Sequence, residues 1–464
     1  MTSEVPADAA RAVAFSVLRA VSERSAYANL LLPQRLRKVG LSGRDAAFAT
    51  ELTYGTLRRS GTYDRIAAAS IDRPWDGVDP PVRDLLRLGT HQLLGMQVPS
   101  HAAVSTTVSL AKREVGPGRA GFVNAVLRRV STQDYDAWVD ALLADDPDPL
   151  EALAVRHAHP RWVVEAFDRA LSARDGAGEL EELLAADNQS PAVTLVARPG
   201  RCQVSELVDA GGSPGRWSPW AVIWPGGDPG QLPAVREHRA GVQDEGSQLV
   251  AAALLAAPVL PAGGSTQPER WLDMCAGPGG KAALLAAAGR QRGASLDAWE
   301  LQPHRARLVE QAVGGHGSVA VRVVDAADPA VGEQGAGQYD RVLLDAPCTG
   351  TGALRRRPEA RWRRRARDLP DLVALQRRLL VNAIQLVRPG GVVGYVTCSP
   401  LLEETVEVVD AVRQGLATDA LEPIDARTCL PAELPGLGPG PDLQLWPHRH
   451  GTDAMFLALL RRLT

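Results

Sequence analysis

Lysine, cysteine and long apolar runs are all scarce in this sequence. Lysine occurs only at Lys38, Lys112 and Lys281, so arginine supplies nearly all of the positive charge. The formal net charge is -3, so the chain as a whole does not indicate a nucleic-acid partner, and any such surface must be local. The longest apolar run, residues 249–260, is too short to span a bilayer, and residues 1–10 lack the basic start of a signal peptide. We therefore expect no membrane partner.

Cysteine is nearly as rare as lysine. Five cysteines are scattered along the 464 residues, at positions 202, 275, 348, 398 and 429. Their odd number and the lack of a CxxC pair argue against a disulfide framework and predict a reducing compartment, the cytoplasm. No group of His, Cys and carboxylate residues has the spacing of metal ligands, so we expect no metal. The length predicts a globular protein of two or three domains, which we expect to be a monomer.

Three stretches of the chain differ in pattern. Residues 1–140 have apolar positions at three- and four-residue spacing, which predicts an all-helical domain. Residues 141–240 are less regular and predict a linker followed by a small α+β domain. Residues 241–464 alternate strands with helices, which predicts a mostly parallel sheet covered by helices on both faces. The strands are expected at 270–273, 296–300, 319–325, 341–345 and 391–397. Ligands of such sheets bind at the carboxyl ends of the strands.

A glycine-rich turn, DMCAGPGGK, follows the first of these strands at residues 273–281. Glycines let the backbone approach a ligand closely, and a helix N-terminus favours a negative group. A phosphate-binding P-loop is excluded, because Cys275 replaces its first glycine and Ala282 follows Lys281. The dinucleotide fingerprint is matched only in part. S-adenosylmethionine is the remaining candidate ligand, although the loop alone leaves open a purely structural tight turn.

Acidic residues end the next two strands. Glu300 lies about twenty residues beyond the glycines, where a carboxylate can accept hydrogen bonds from two ribose hydroxyls. A solvated acid at a strand end is the alternative interpretation of Glu300. Asp325 is a candidate for bonding an adenine amino group, and Asp328 is a rival for that role.

Two cysteines follow the fourth and fifth strands, Cys348 in DAPCTG and Cys398 in TCSP. Buried cysteines are usually inert packing, and we assign Cys202 and Cys429 to that class. Cys348 and Cys398 are instead expected to be chemically active. Methyl transfer from S-adenosylmethionine to carbon 5 of cytosine is one reaction that requires a cysteine. A thiolate that adds to carbon 6 of the ring makes carbon 5 nucleophilic enough to take the methyl group. A free thiol is only a few per cent thiolate at neutral pH, so a basic surrounding would help such a step.

The ordered set DMCAGPGGK, DAPCTGTG and VTCSP resembles the RsmB/Sun (NOP2-related) family of 16S rRNA cytosine-C5 methyltransferases. The resemblance extends through residues 243–248 and 355–362. Residues 45–59 and 121–129 resemble the RNA-binding fold of the antitermination factor NusB.

This resemblance implies a multidomain fold. An all-α NusB-like RNA-binding domain would occupy residues 1–140, and a small α+β connecting domain would occupy 141–240. An α/β Rossmann-like, S-adenosylmethionine-dependent methyltransferase domain would occupy 241–464.

Site residues are implied where these motifs match. The cofactor's methionine part would be held by a loop whose members are Cys275, Ala276, Gly277, Pro278, Gly279, Gly280 and Lys281. The resemblance places Glu300 at the ribose, Asp325 near the adenine, and Asp345 beside both cofactor and target base. Gly277 departs from the family, which usually has alanine there.

The resemblance also implies the roles of the two cysteines. Cys398 would be the nucleophile, and Cys348 would help release the methylated RNA. DNA cytosine-C5 enzymes attack with the cysteine of a Pro-Cys motif, which is Cys348 here, so the opposite assignment stays an alternative.

An arginine cluster at residues 355–367 contains eight arginines and one acid. Such a run is as often a solvated face as a binding surface. Beside an RNA-modifying site it predicts phosphate contacts, with the tryptophan as a stacking surface. The predicted RNA-binding residues are Arg355, Arg356, Arg357, Arg361 and Trp362.

The sequence leaves one alternative open for the substrate and one for the activity. The RNA partner is expected to be small-subunit rRNA, and tRNA is the alternative substrate. A non-catalytic RNA-binding or assembly factor that retains the fold is the alternative to an enzyme. Intact Cys348 and Cys398 argue against that alternative.

Overall fold

The computed structural model describes residues 8–96, 98–145, 148–261, 267–314, 318–417 and 420–464. The chain forms two compact units. The first unit contains residues 1–165 and 354–365, and the second contains 166–353 and 366–464. The first unit is therefore built from two separate pieces of chain. No helix within the described ranges is long and apolar enough to cross a membrane.

Helices make up the first unit, as the sequence predicts. They are α1 (Ala9–Arg24), α2 (Ala28–Val39), α3 (Gly43–Ala69), α4 (Pro80–Leu94), α5 (Ser100–Val115), α6 (Pro117–Val130), α7 (Tyr135–Leu142) and α8 (Pro149–Arg156). The fixed φ of proline suits the first helical turn, which is why α4 begins at Pro80. Their apolar stripes share one core that includes Leu52, Tyr63, Leu85 and Leu127. Burying each such leucine contributes about 1.5–3 kcal/mol.

A small antiparallel sheet lies at the start of the second unit. The chain passes into this unit within α9 (Arg161–Ser172). The elements that follow are α10 (Leu180–Asp187), β1 (Val193–Ala197), α11 (Val204–Asp209), β2 (Ser213–Pro214), β3 (Ala221–Trp224), α12 (Pro233–Arg236) and β4 (Ala240–Val242). The strand order is β2-β3-β1-β4.

This small sheet lies in the segment 141–240, for which the sequence predicts a separate connecting domain. In the structure, residues from 166 onward group with the second unit. Buried hydrogen bonds tie the sheet to the next helix. Gln248 Nε2 donates to the Leu195 carbonyl, and the Glu245 carboxylate accepts from the Ser218 amide.

A large, mostly parallel sheet forms the rest of the second unit and confirms the predicted α/β fold. Its strands are β5 (Arg270–Asp273), β6 (Ser295–Glu300), β7 (Val319–Val323), β8 (Tyr339–Asp345), β9 (Val387–Thr397), β10 (Leu421–Ile424), β11 (Leu443–Gln444) and β12 (Phe456–Arg462). The order is β10-β12-β9-β8-β5-β6-β7, and β11 pairs with β12. Strands β5 to β9 run parallel, whereas β10 to β12 pair antiparallel.

Helices connect these strands. They are α13 (Glu245–Ala256), α14 (Gly280–Arg292), α15 (Pro303–Ala312), α16 (Pro329–Gln334), α17 (Pro358–Arg363), α18 (Leu369–Leu386), α19 (Val406–Gln414) and α20 (Pro447–His450). Of these, α17 belongs to the first unit.

Successive strand residues face opposite sides of the large sheet, as pleating requires. Trp271 and Leu343 pack in one core with α13 and α14. Their neighbours Leu272 and Leu344 pack in the other core with α18 and α19. The sheet is therefore covered on both faces, and its strand ends are left to carry the polar loops.

Candidate active site

The carboxyl ends of β5, β8 and β9 lie side by side at one edge of the large sheet. Asp273 of β5 pairs with Leu343 of β8, and Asp345 of β8 pairs with Val396 of β9. The loops that follow carry the glycine-rich turn, Asp345 and both predicted active cysteines. The structure therefore brings these predicted site residues into one place.

The glycine-rich turn is held by backbone hydrogen bonds. The Ala276 amide donates to the Trp299 carbonyl on β6 at 2.8 Å, and the Gly279 amide donates to the Ala276 carbonyl at 2.7 Å. Gly279 has a φ of 111°, a conformation that other residues rarely adopt. Because α14 begins at Gly280, the first free amide groups of that helix lie in the turn.

Glu300 packs directly against this turn from the end of β6. Its side chain is buried, and Oε1 accepts from the Gln302 amide at 2.9 Å. Arg305 Nη2 donates to the Gly277 carbonyl at 2.6 Å, and Arg305 Nη1 lies 3.6 Å from Glu300 Oε2. A Cβ atom added at Gly277 would lie 2.1 Å from Glu300 Oε2. Glycine at this position therefore leaves room for the Glu300 carboxylate in the conformation that it has in this chain.

Lys281 and Asp345 form a largely buried ion pair, with 2.7 Å between Nζ and Oδ2. Burial alone would lower the pKa of Lys281, but the charge and hydrogen bond of Asp345 outweigh it and raise that pKa. Attraction to Cys398 and Asp273 adds to the rise. Lys281 is therefore a fixed positive charge that favours negative charge on its neighbours.

Asp273 is a buried acid at the end of β5. Burial, followed by repulsion from Asp345, raises its pKa to about 7, although Lys281 opposes the shift. Asp273 is 1% exposed, and its carboxylate has no close hydrogen-bond donor among the described residues; a weak interaction with the Cys275 backbone amide slightly opposes the rise in pKa. Such a carboxylate is costly to bury unless a ligand supplies the missing donor.

The thiols of Cys348 and Cys398 lie 3.4 Å apart. The hydrogen bond with Cys398 and burial raise the pKa of Cys348 well above its ordinary value, and charges on Cys398 and Glu404 raise it further. Cys348 therefore holds its proton when negative charge is present on Cys398. By contrast, the thiols of Cys202 and Cys429 lie in other parts of the second unit and are buried.

Glu404 fixes the loop that carries Cys348. Its carboxylate is fully buried and accepts from the Thr349 amide at 2.7 Å and the Thr349 hydroxyl at 2.5 Å. Gln376 Nε2 donates both to Glu404 Oε1 at 3.0 Å and to the Pro347 carbonyl at 2.9 Å. These bonds hold the residues on each side of Cys348.

Hydroxyl groups extend this network to the loop of Cys398. Thr351 Oγ1 and Ser399 Oγ lie 3.1 Å apart, and the Gly352 amide donates to the Cys398 carbonyl at 2.9 Å. Sequence reasoning missed Glu404, because LLEETVEVVD has the pattern of an acidic, solvated helix start. Nothing in that pattern distinguishes Glu404 from Glu403, which is partly exposed and pairs with Arg169.

The residues around the turn fit S-adenosylmethionine. Asp273 supplies a buried carboxylate with no close hydrogen-bond donor among the described residues, which suits an ammonium group. Glu300 supplies a carboxylate that suits hydroxyl donors. Gly280 is exposed, and an added Cβ would find only Gln243 Nε2, at 4.0 Å. The turn therefore offers carboxylates for the ammonium and ribose hydroxyl groups of S-adenosylmethionine, and accessible backbone for its carboxylate.

The comparisons with known proteins cover both units. The family model of 16S rRNA methyltransferase RsmB/F matches residues 264–461, and that of the NusB family matches residues 8–132. A candidate methyltransferase of Mycobacterium tuberculosis is 54% identical over 464 residues, which cover 99% of this chain and 98% of its own. The ribosomal RNA small subunit methyltransferase B of Xanthomonas campestris is 32% identical over 465 residues, which cover 97% of each chain. The chain belongs to the RsmB/F methyltransferase family.

Solved structures share the fold of this RsmB/F methyltransferase. The crystal structure of PH0851 aligns over 99% of each chain with a TM-score of 0.81 and 22% identity. That of NSun6 from Pyrococcus horikoshii with SFG covers 66% of this chain and 99% of its own, with a TM-score of 0.54 and 18% identity. The family's methyl donor is S-adenosylmethionine, and the chain is an RNA methyltransferase of the RsmB/NOP2 type.

Two acids after β7 remain rivals for the adenine in this RsmB/F methyltransferase. β7 ends at Val323, before the predicted end at Asp325. Asp325 is exposed and accepts from the Ala327 amide at 3.0 Å. Asp328 is also exposed and accepts from the Ala330 amide at 3.0 Å. Because their local bonds are alike, contact of Asp325 with the adenine stays a prediction.

Arg361 does not lie where the sequence suggested. The side chain is fully buried in the first unit, and Nη1 donates to the carbonyls of Arg58 at 3.1 Å and Ala158 at 2.8 Å. The prediction that Arg361 contacts RNA phosphates is therefore wrong for this structure. An arginine run can be solvated only on the faces that its helix leaves open, and α17 packs on α3.

Trp362 also packs inside the first unit. Its Nε1 donates to the Leu57 carbonyl at 2.9 Å, and its ring lies against Gly61, where an added Cβ would be 2.2 Å away. The ring is only half-buried, so the role of Trp362 as a stacking surface stays a prediction. Arg355 is buried as well, whereas Arg356 is half-buried and Arg357 is exposed. Arg356 and Arg357 thus remain candidates for phosphate contacts.

Proposed function

We propose that the protein methylates carbon 5 of a cytosine in 16S rRNA, with Cys398 as the nucleophile. The observation that carries this proposal is the pair of thiols 3.4 Å apart beside the Lys281–Asp345 ion pair. A reaction that adds and later expels a thiolate can use two cysteines in one site, one as the nucleophile and one for release. Carbon-5 methylation of cytosine is such a reaction.

The proposed reaction begins when the Cys398 thiolate forms a bond to carbon 6 of the cytosine. Carbon 5 thereby becomes an enamine carbon that can attack an electrophile. S-adenosylmethionine, when bound, supplies that electrophile as a methyl group. A base, a role that we assign to Cys348, then takes the proton from carbon 5, and the carbon–sulfur bond breaks, which restores the aromatic ring and returns the electron pair to Cys398.

The electrostatics of the two thiols support Cys398 as the nucleophile. The raised pKa of Cys348 keeps its proton in place, chiefly through the hydrogen bond with Cys398 and through burial. The Lys281 ammonium favours negative charge on Cys398. Cys348 would then assist product release. Its raised pKa depends on Cys398, and this dependence ends once Cys398 is bonded to the base.

Other residues of the site would orient the reactants. Asp345, held by Lys281, would accept a hydrogen bond from the cytosine amino group. The loop 275–281 with Asp273 would hold the methionine part of the cofactor, Glu300 its ribose, and Asp325 its adenine. Every one of these groups binds or orients, and none has to move for the reaction.

The names of full-length relatives support rRNA as the substrate. The Xanthomonas campestris relative, matched over 97% of each chain, is named for the small ribosomal subunit. The match to the NusB family supports RNA binding by residues 1–140. We propose that this domain binds rRNA in the cytoplasm with help from Arg356 and Arg357. Residues 241–464 would catalyse the methyl transfer, and residues 141–240 would connect the two domains.

The test uses the variants Cys398→Ala and Cys348→Ala with S-adenosylmethionine and unmodified small-subunit rRNA. The readouts are 5-methylcytosine and a protein–RNA adduct that survives denaturation. Cys398→Ala is expected to lose both, while Cys348→Ala accumulates the adduct because release fails. Cys429→Ala is the matched control, since that thiol is buried elsewhere in the second unit. The reverse pattern would make Cys348 the nucleophile, and activity on tRNA alone would refute the rRNA assignment.

A further inference from the structure

Tyr27 is an aromatic side chain that the fold leaves in solvent. It is 47% exposed, and it is the only aromatic residue among the exposed large apolar side chains of the described ranges. It lies in the first unit, in the turn between α1 and α2, where it precedes the first residue of α2. The other aromatic residues in the core of this unit are by contrast buried, as Tyr63 is, or partly buried, as Tyr54 is. Burial in the core therefore does not explain why an aromatic ring occurs here.

The backbone on both sides of Tyr27 is fixed to α17. The Ala26 carbonyl accepts from Arg363 Nη2 at 2.9 Å, and the Ala28 amide donates to Glu359 Oε1 at 3.2 Å. Both partners belong to the piece of chain that completes the first unit. The ring is thus presented from a backbone that is already ordered, so a ligand would lose little binding free energy in ordering it.

Two guanidinium groups lie over the ring at cation–π distance. Arg363 Cζ is 5.2 Å and Arg357 Cζ is 6.0 Å from the centroid of the Tyr27 ring, within the range of cation–π contact. Glu359, the acid between them in the sequence, is buried against the Ala28 amide. The charge presented around the ring by α17 is therefore positive.

We infer that Tyr27, Arg357 and Arg363 form a binding site for an unpaired nucleotide of the RNA substrate. The base would stack on the Tyr27 ring, and the two guanidinium groups would contact the phosphates next to it. An aromatic face beside positive charge is the combination that binds single-stranded nucleic acid. A base inside a duplex is already stacked on both faces, so the ring selects unpaired RNA.

This inference deepens the proposed function, because it takes RNA as the partner. It also adds to Trp362, the half-buried residue expected from the sequence to stack, an aromatic residue that is more open to solvent. The arginine cluster still provides the positive charge, through Arg357 and Arg363 and not through the buried Arg361.

The experiment measures binding of a short single-stranded RNA to the full chain over a range of salt concentrations. The variants are Tyr27→Ala, Tyr27→Phe and Arg357→Gln, with Leu30→Ala as the control. Leu30 is a 56% exposed apolar residue of α2, close to Tyr27 in the sequence, and it has no aromatic ring on which a base could stack. Thermal unfolding of each variant checks that it folds.

Tyr27→Ala is expected to weaken binding by about five- to 150-fold, the range for loss of one stacked base. Tyr27→Phe keeps the ring and should bind like the wild type, as should Leu30→Ala. The dependence of binding on salt should be unchanged in Tyr27→Ala but shallower in Arg357→Gln, because only the arginine displaces counterions from phosphate. Wild-type binding by Tyr27→Ala, or equal losses in Tyr27→Ala and Leu30→Ala, would overturn the inference.

Methylation assays on rRNA separate this inference from the proposed function. Tyr27→Ala should raise KM for RNA and leave kcat unchanged, because stacking there is equal in ground and transition states. If the wild type bound single-stranded RNA through Tyr27 but produced no 5-methylcytosine, the proposed function would fail and the binding site would stand. If 5-methylcytosine formed with the same KM in wild type and Tyr27→Ala, only the binding site would fail.

Discussion

The Sγ atoms of Cys348 and Cys398 lie 3.4 Å apart, at the ends of two neighbouring parallel strands. Lys281 makes the two thiols unequal, because it favours negative charge on Cys398, and the hydrogen bond with Cys398 then raises the pKa of Cys348. Iodoacetamide, which reacts with thiolates, should therefore modify Cys398 before Cys348. Peptide mapping by mass spectrometry at increasing times measures the order.

The variant Cys398→Ser provides the internal control for this order. It removes the partner thiol, so Cys348 should become more reactive than in the wild type. If Cys348 were modified before Cys398 in the wild-type protein, the assignment of Cys348 as the protonated thiol would be contradicted.

Gly277→Ala is expected to weaken S-adenosylmethionine binding. The added Cβ would lie 2.1 Å from Glu300 Oε2, so the buried carboxylate must move away from the turn. Loss of one hydrogen bond to a charged group costs about 1.5–3 kcal/mol, which corresponds to a rise in Kd of roughly ten- to 150-fold. Isothermal titration calorimetry with the cofactor measures the change.

The double variant Gly277→Ala/Glu300→Asp tests the cause. The shorter aspartate side chain relieves the clash with the added Cβ, so the double variant should lose less affinity than the sum of the two single losses. Additive losses would mean that the two positions act independently.

Cofactor affinity should depend on the ionisation of Asp273. The pKa of this acid is raised to about 7 in the folded protein, and an ammonium ligand prefers the ionised form. Affinity for S-adenosylmethionine should therefore increase as pH rises through about 7. Asp273→Asn should bind the cofactor more weakly and lack this pH dependence.

The same shift has the opposite consequence for stability without cofactor. Because the folded pKa of Asp273 lies above its ordinary value of 3.8, the folded chain keeps a proton that the unfolded chain releases. The contribution of this group to stability is fully present below about pH 3.8. It is lost as pH rises from there through about 7. Thermal unfolding without cofactor should show Asp273→Asn gaining stability relative to wild type over this range. A constant difference between the two proteins would contradict the raised pKa.

Glu404→Ala is expected to slow release of methylated RNA and to lower stability. The substitution leaves the Thr349 amide and hydroxyl without their acceptor, at about 1–3 kcal/mol for each unsatisfied group. The loop of Cys348 would then lose its fixed position, and the protein–RNA adduct should accumulate. Thermal unfolding and the adduct assay measure the two effects.

Glu404→Gln separates position from charge. The amide side chain keeps an acceptor for the Thr349 backbone and should retain most of the release activity. Glu403→Ala is the matched control, because this neighbouring carboxylate is partly exposed and should change neither readout. Equal adduct accumulation in Glu403→Ala and Glu404→Ala would refute the positioning role.

Arg361→Ala should destabilise the first unit, since it leaves the Arg58 and Ala158 carbonyls without their donor and creates a cavity. The expected loss is about 2–4 kcal/mol in urea unfolding. Arg357→Ala, at an exposed arginine of the same segment, should unfold like the wild type. Similar stability of the two variants would show that Arg361 is not a packing residue.

The strands and the loop chemistry of the large sheet could be predicted from the sequence for a physical reason. A buried strand must be apolar, and a loop at its end must be polar or flexible, so the boundaries are marked in the residues themselves. Glu300 and Asp345 stand at such boundaries, and both end the strands as expected.

The roles of Glu404 and Arg361 could not be predicted in this way. Each is a charged residue in a charged run, and only its partners from distant parts of the chain bury it. Thr349 and Gln376 supply donors to Glu404, and the carbonyls of Arg58 and Ala158 accept from Arg361. The sequence around Glu404 or Arg361 does not indicate which distant residues will bury the side chain.

The two-piece construction of the first unit has a consequence for how this enzyme can be divided or recombined. A fragment ending at residue 165 lacks α17, and the α3 surface that Trp362 covers would be left open to water. A single truncation of the chain between the units therefore yields an incomplete helical domain that lacks α17. An exchange of this module between relatives would have to transplant two stretches of sequence together.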